Sequence, residues 1–194
     1  MVLEANGREE IARRDVINAC RRGDPDAFRA LFEAHKNRVY SIALRYSGNT
    51  AAAMDIAQDT FLKVLSQIQK FRGDADIETW IYRIAVNACL DHQRRTRRLL
   101  PFLSELIETI SVRGESVLHR LMRDQTSSDV QRVIARLPAE QRMVVVLRYT
   151  EGLAYDEIAR ILGCSAGTVA SRLNRAHKIL ERKLSHLRGV VGNA

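Results

Sequence analysis

The segment Leu153–Leu184 constrains the fold most, because it predicts two helices joined by a tight turn. The first helix has one apolar face, whose residues recur at spacings of three and four: Tyr155, Ile158, Ala159 and Leu162. Gly163 is expected to end this helix, and Ser165 is placed to cap the next one through its hydroxyl. This order predicts a helix-turn-helix motif, in which the second helix enters the major groove of DNA.

The second predicted helix is apolar on one side and mainly polar or basic on the other. Its apolar stripe consists of Val169, Leu173, Ala176, Leu180 and Leu184. The opposite face carries Ser171, Asn174, Arg175, Lys178 and Arg182. The alternative is a plain helical hairpin whose basic face is only solvated. We favour a DNA-reading helix because helix lengths, turn and charge agree. Arg175 and Lys178 would contact base edges or phosphates, and Arg172 on the flank suits a phosphate.

The basic charge of the chain falls in two blocks. The net charge is +8: residues 20–98 carry 14 basic and nine acidic side chains (+5), and residues 130–194 carry 11 and five (+6). Residues 99–129 carry three basic and five acidic side chains (−2). This pattern suits two modules that face nucleic acid, 1–98 and 130–194, joined by a linker over 99–129. The alternative is a protein whose Arg and Lys are merely solvated.

The chain is predicted to be all-α, with two small helical domains joined by a flexible, partly helical linker. Ten Gly and three Pro leave long stretches of helix-forming residues. Amino-terminal helices are predicted over 8–22, from Pro25 (capped by Asp24) to before Gly48, from Ala51 to about Phe71, and from Ile77 to about Arg98. Pro101 is expected to interrupt the chain. The run Met143–Leu147 is apolar all round and is therefore expected to be buried.

Several classes of function are not expected from the sequence. Three cysteines, Cys20, Cys89 and Cys164, occur without a CxxC pair, so neither a zinc site nor a disulfide framework is predicted. No catalytic motif is visible, and we expect neither a cofactor nor enzymatic activity. No apolar run is long enough to span a bilayer, and the amino terminus lacks the apolar core of a signal peptide. We therefore expect a cytoplasmic protein without direct membrane insertion.

A second candidate site is the polar loop FRGDADIE followed by a helix that ends in arginines. Aromatic, amide and basic side chains interleave there, which suits single-stranded DNA. Trp80 fits the hydrophobic core better than base stacking. The run Arg94–Arg98 could instead be a solvated helix end, where cations are favourable.

A third candidate is a mixed acidic and apolar stripe at three- and four-residue spacing. It consists of Asp55, Gln58, Asp59 and Leu62. Within a basic block, such a stripe suits a protein partner. The alternative is ordinary helix-start electrostatics, because Asp is favourable near a helix amino terminus.

The order of these segments resembles the extracytoplasmic function class of bacterial RNA polymerase sigma factors. Residues 24–98, with DPDAFRALFEAH, DIAQDTFLKV and FRGDADIETWIYRIAVNACLD, are similar to sigma region 2. Residues 130–185, with LPAEQRMVVVLRYTEGLAYDEIARILGCSAGTVASRLNRA, are similar to sigma region 4. The resemblance implies a factor that binds core RNA polymerase (β and β′ subunits) and promoter DNA, and performs no chemistry of its own.

The resemblance also implies roles for residues. Contacts to the β′ clamp helices fall on Asp55, Gln58, Asp59, Phe61 and Leu62. Opening of the −10 element and capture of a flipped base fall on Arg72, Asp74, Ile77, Tyr82, Arg83, Asn87, Asp91, Arg94 and Arg95. Contacts to the −35 element fall on Thr168, Ser171, Arg172, Asn174, Arg175 and Lys178. Members of this family are usually held by an anti-sigma factor, often membrane-bound, and we expect such a partner.

Two departures from the family pattern affect these expectations. Ala170 follows the GTV triplet, where Lys or Arg is usual, so one −35 contact is expected to be missing. The linker carries Leu103, Leu106, Ile107 and Ile110, which could bind a partner in a helix-in-groove mode or pack on their own domain. The alternative function is a two-domain helix-turn-helix regulator with an amino-terminal sensing domain. A receiver domain would need alternating strands and helices, and none are visible.

Overall fold

The computed structural model describes residues 14–73, 75–107 and 125–185, and all regular structure within these ranges is helical. Residues 14–21 form the described part of α1. The other helices are α2 (Pro25–Ser47), α3 (Thr50–Gln67, followed by a 3₁₀ turn Ile68–Lys70), α4 (Ile77–Ile107), α5 (Gln125–Ala135), α6 (Ala139–Val145, followed by a π-helical turn Val146–Thr150), α7 (Tyr155–Leu162) and α8 (Ala166–Leu184). The prediction of an all-α fold is confirmed.

The ends of α2 follow from local sequence chemistry. The Asp24 carboxylate accepts hydrogen bonds from the backbone N–H groups of Asp26 (2.9 Å) and Ala27 (3.2 Å), and Pro25 occupies the first turn. At the other end Gly48 adopts a left-handed conformation with φ of 70°, which glycine enters at no steric cost. The predicted start and end of this helix are therefore confirmed.

Helices α2, α3 and α4 pack around one apolar core in the amino-terminal module. Its fully buried side chains include Val39, Ile42, Ile56, Val64 and Ile81. Each such side chain contributes about 1.5–3 kcal/mol of burial free energy. The half-buried Trp80 packs on the core, with its ring 5.2 Å from that of Phe71. The expectation that Trp80 belongs to the core is confirmed.

Helices α6, α7 and α8 form the carboxy-terminal module. The run Met143–Leu147 is buried, as predicted, and packs with Ile158 and Leu173. The prediction that Tyr155 lies on the inner face of α7 is wrong. Its side chain is 39% exposed, and its ring lies under the guanidinium of Arg148. Ile161 is buried in that helix instead.

Helix α4 extends further than its sequence pattern predicted. It continues beyond Arg98, through Pro101, to Ile107. A proline inside a helix removes one backbone hydrogen bond but leaves the others, and the leucines around it are good helix formers. Of the apolar linker residues, Leu103, Leu106 and Ile107 thus fall within α4, whereas Ile110 lies outside the described residues. None of the helices in the described ranges has the length and apolar character needed to cross a bilayer.

Candidate protein and nucleic-acid interfaces

The turn between α7 and α8 is fixed by two local features that the sequence predicted. Gly163 is left-handed, with φ of 63°, and ends α7. The Ser165 hydroxyl accepts a hydrogen bond from the backbone N–H of Thr168 at 3.1 Å and so caps α8. The inner face of α8 is buried through Val169, Leu173 and Ala176. Together they hold the outer face of α8 in one orientation, as a helix-turn-helix requires.

The outer face of α8 presents polar and basic side chains of two kinds. Ser171 donates a hydrogen bond to the carbonyl of Thr168 (2.9 Å), and the Thr168 hydroxyl pairs with Ser165 (2.9 Å). Asn174, Arg175 and Lys178 are exposed. Within the described part of the chain, neither cation of this group forms an ion pair. These two cations are therefore the groups best placed to meet a polyanion.

Arg172 differs from the other predicted −35 residues because it is engaged inside its own module. Its Nη2 lies 2.6 Å from the Glu140 carboxylate at the start of α6, and its Nη1 lies 3.9 Å from the sulfur of Cys164. Its side chain is only 23% exposed. This ion pair ties α8 to α6, so a phosphate would have to compete with Glu140 for the guanidinium.

The predicted acidic stripe lies on the surface of α3. Asp55, Gln58 and Asp59 are exposed, and Leu62 is 57% exposed. Phe61 is only 7% exposed, because it points inward and packs edge-on against Phe32, with ring centroids 4.7 Å apart. Phe61 can therefore shape this surface from beneath but contributes little to it directly.

Exposed apolar residues that the sequence reasoning missed flank this stripe. Met54 is 62% exposed and Leu65 is 51% exposed. With Leu62, these side chains border a groove of about 520 Å³ between α2 and α3 that is also lined by Phe28, Phe32 and Tyr40. The four-residue spacing of Met54, Gln58 and Leu62, which places them on one face of a helix, is the sequence pattern that could have predicted this surface. Carboxylates beside exposed apolar groups are typical of a protein interface.

The predicted −10 residues differ in exposure. Arg72, Arg83, Asn87, Arg94 and Arg95 are exposed, and Asp91 is half-buried. Ile77 and Tyr82 are buried, because they face the core from α4. Burial raises the pKa of Tyr82 to about 12. Asp74 lies outside the described residues.

Charged side chains link the middle of α4 to α3. Asp91 accepts from Arg94 at 3.2 Å and lies 3.8 Å from Lys63, while Arg95 lies 3.8 Å from Asp59. Pairs this exposed contribute at most about 1 kcal/mol each, so they leave these side chains available to a partner. The acidic stripe and the arginines of α4 are therefore neighbouring parts of one surface.

The cysteines are free thiols, with Cys20 and Cys89 buried and Cys164 half-buried. Burial raises the pKa of the Cys89 thiol to about 12, which keeps it protonated and unreactive at neutral pH. In the ranges that the structure describes, His, Cys, Asp and Glu form no group of three that could hold a metal ion.

The fold and these surfaces define a two-module, α-helical DNA-binding protein with a helix-turn-helix in its second module. Comparison with known families places it more narrowly. Residues 31–99 match the family described as Sigma-70 region 2, and residues 127–180 match Sigma-70, region 4. The chain therefore belongs to the sigma-70 family of RNA polymerase sigma factors, in its extracytoplasmic function (ECF) class.

Relatives match this chain along most of its length. The RNA polymerase sigma-H factor of Pseudomonas aeruginosa is 30% identical over 182 residues, which cover 90% of this chain and 94% of that protein. The ECF sigma factor SigM of Mycobacterium tuberculosis is 35% identical over 181 residues, covering 93% and 89%. The amino-terminal module is thus sigma region 2, and the alternative of a sensing domain is not favoured.

A solved structure shows the same fold. CnrH, determined in complex with the cytosolic domain of CnrY, superposes with a TM-score of 0.66 at 23% identity, covering 90% of this chain and 98% of CnrH. RpoE in complex with the anti-sigma factor NepR from Bartonella quintana gives a TM-score of 0.62 at 22% identity, covering 81% and 96%.

Proposed function

We propose that this sigma factor binds core RNA polymerase through α3, opens −10 DNA through α4 and its preceding loop, and reads −35 DNA through α8. The observation that carries the proposal is the exposed acidic stripe of α3 inside an otherwise basic module. A basic surface favours binding to DNA, whereas an acidic stripe within it favours binding to a protein. The protein itself needs no catalytic group for this function.

The polymerase contact combines charge with apolar area. Asp55 and Asp59 would steer and orient the β′ clamp helices, while exposed Met54 and Leu62 supply the apolar area that is removed from water. The β subunit would also be part of this partner, as the family resemblance implies.

At the −10 element, the exposed residues of α4 are arranged for single-stranded DNA. Arg94 and Arg95 suit phosphates, and Asn87 can read the edge of an extruded base. Extrusion costs a few kcal/mol of unstacking, which a binding pocket near Arg72 would offset.

We also propose that an anti-sigma factor controls this protein in the cytoplasm, where polymerase works. Both structural relatives were determined in complexes, RpoE with an anti-sigma factor and CnrH with the cytosolic domain of CnrY. A partner with a cytosolic domain and a membrane anchor would fit this arrangement.

The function is tested by adding the purified protein to bacterial core RNA polymerase and transcribing fragmented genomic DNA. We expect a stable complex and new run-off start sites that depend on the protein and share one promoter motif. Tight duplex binding without any core binding would contradict the proposal and favour a regulator.

Arg175→Ala is expected to weaken binding of −35 duplex DNA by about 1–3 kcal/mol if Arg175 reads a base, and to reduce the salt slope by about one if it meets only a phosphate. Fluorescence anisotropy across a salt series separates the two cases. Lys183→Ala removes the same charge from an exposed position nearer the inner side of α8 and serves as the control. Unchanged affinity and salt slope for Arg175→Ala would remove this residue from the reading surface.

A further inference from the structure

Tyr149 and His177 form a hydrogen-bonded pair beside the outer face of α8. The Tyr149 hydroxyl lies 2.7 Å from Nε2 of His177, and the two ring centroids lie 5.7 Å apart. Tyr149 belongs to the π-helical turn after α6, and His177 lies in the middle of α8. Tyr149 is 60% exposed, and His177 is exposed as well. These two side chains, which we call the Tyr149/His177 pair, are therefore accessible to a partner.

A wide turn of the backbone brings Tyr149 to this position. The backbone N–H of Glu151 donates to the carbonyl of Val146 at 3.3 Å, five residues earlier instead of the usual four. Such π-helical turns are rare and frequently occur at functional sites. The run Met143–Leu147 before Tyr149 is buried, whereas Tyr149 itself lies at the surface. The turn thus ends the buried part of this helix and lets the Tyr149 hydroxyl reach α8.

The pair lies on the flank of α8 opposite to the flank of Arg172. At about 100° per residue, Arg172 and His177 each lie about 110° from the centre of the outer face, on opposite sides of it. The flank of His177 also carries Ala170 and Glu181. Of these three side chains, only that of His177 can donate a hydrogen bond. Any contact of this flank with an anion therefore depends on the Tyr149/His177 pair.

An α-helix in the major groove of DNA has a phosphate backbone on each side. The groove is about 12 Å wide, close to the diameter of about 10–12 Å of a helix with its side chains. A helix whose outer face meets the bases therefore brings both of its flanks toward phosphates. On α8, Arg172 lies on one of these flanks and the Tyr149/His177 pair on the other.

The hydrogen bond within the pair always leaves a hydrogen for a third group. A neutral imidazole has one N–H and the phenol has one O–H, and the bond between them uses one of the two. If Tyr149 donates to Nε2, the Nδ1–H of His177 remains. If Nε2 donates, the hydroxyl hydrogen of Tyr149 remains. A phosphate oxygen can accept the remaining hydrogen in either arrangement.

We propose that the Tyr149/His177 pair binds one phosphate of the −35 duplex, on the side of the major groove opposite to the phosphates that Arg172 faces. This inference deepens the proposed function, since it rests on the reading of −35 DNA by α8. Contacts to phosphates fix the register and orientation of a DNA-binding module. A contact on this flank limits the rotation of α8 in the groove and so aligns Asn174 and Arg175 with the base edges.

The contact is tested with the full-length protein and a duplex that carries the −35 element found by run-off transcription. Tyr149→Phe keeps the ring and loses the hydroxyl, and His177→Ala removes the imidazole. Each is expected to weaken binding about tenfold in fluorescence anisotropy, as the loss of one hydrogen bond to a charged group would. The double variant should bind little more weakly than either single variant, because the two side chains act as one unit.

His177→Arg tests whether this flank faces a phosphate. A permanent cation there should steepen the slope of log Kobs against log salt concentration by about 0.9, the change expected for one additional phosphate contact. Ala30→Arg is the matched control, because it adds the same charge at an exposed position of α2 in the other module. This control should leave the salt slope for the −35 duplex unchanged.

Replacing single phosphates of the duplex by neutral methylphosphonates separates a phosphate contact from a purely structural role. The wild type should lose about tenfold in affinity when the phosphate that faces the pair is replaced. Tyr149→Phe and His177→Ala should be insensitive to replacement at this position and remain sensitive at all others. If His177→Ala proves unfolded by circular dichroism, Tyr149→Phe carries the test alone.

The proposal is overturned if Tyr149→Phe and His177→Ala bind the −35 duplex as tightly as the wild type does. It is also overturned if both variants bind weakly but keep the sensitivity of the wild type at every methylphosphonate position. Failure of the proposed function has a different signature. The wild type would then bind the −35 duplex no more tightly than a scrambled duplex, which overturns the −35 assignment and this contact with it.

Discussion

Asp55→Asn combined with Asp59→Asn lowers the affinity for core RNA polymerase by about two orders of magnitude. Both carboxylates are exposed on α3, so their loss disturbs no core packing. Close charge pairs across protein interfaces are worth about 1.5 kcal/mol or more each, and two of them amount to about 3 kcal/mol. The affinity is measured by letting each unlabelled variant compete with labelled wild-type protein for core polymerase.

A double variant with the same change in net charge tests whether the loss of core affinity is specific to the acidic stripe. Asp26→Asn combined with Glu33→Gln removes two carboxylates from α2 in the same module and should leave core affinity nearly unchanged. If both double variants bind core equally weakly, net charge rather than the stripe is responsible. Retained core binding by the α3 variant would reduce the stripe to favourable electrostatics near a helix start.

Arg142→Ala destabilises the protein by about 3 kcal/mol. Arg142 is only 7% exposed and donates hydrogen bonds to the backbone carbonyls of Leu137 (3.3 Å), Tyr46 (3.2 Å) and Ala135. Burial lowers the pKa of its guanidinium, an effect partly offset by Tyr46, whose ring centroid lies 5.2 Å away. Alanine leaves these buried acceptors without a donor, at about 1–3 kcal/mol for each that water cannot reach.

Urea denaturation followed by circular dichroism measures this change. Arg136→Ala removes an exposed cation from the same connection and should change the free energy of unfolding by less than about 0.5 kcal/mol. Equal stability of the two variants would mean that water replaces the Arg142 donors. Because one of the bonds reaches Tyr46 in α2, the loss should also weaken contact between the modules.

Features that depend on neighbouring residues were predictable from the sequence. The Asp24 cap, the Gly163 turn and the Ser165 cap each depend on a residue within three positions of the backbone that it controls. The apolar run Met143–Leu147 identified a buried helix because it offers no polar side to water.

Features set by tertiary packing were not predictable in this way. Phe61, Ile77 and Tyr82 were assigned to binding surfaces, but each faces the core of its module. Their spacing does not show which face of the helix is buried. That depends on how the neighbouring helices pack against it. The bonds between Arg38 and Glu151 join residues 113 positions apart, which no local pattern reveals.

The length of α4 affects how far the connection between the two modules can reach. The nine residues of α4 beyond Arg98 span about 13 Å as a helix, whereas the same residues would span about 30 Å if extended. From Ile107 to Gln125 the chain can span at most about 60 Å, because each peptide unit extends no more than about 3.3–3.6 Å. The helical part of α4 beyond Arg98 therefore shortens the reach of the connection and fixes the direction in which the chain leaves the amino-terminal module.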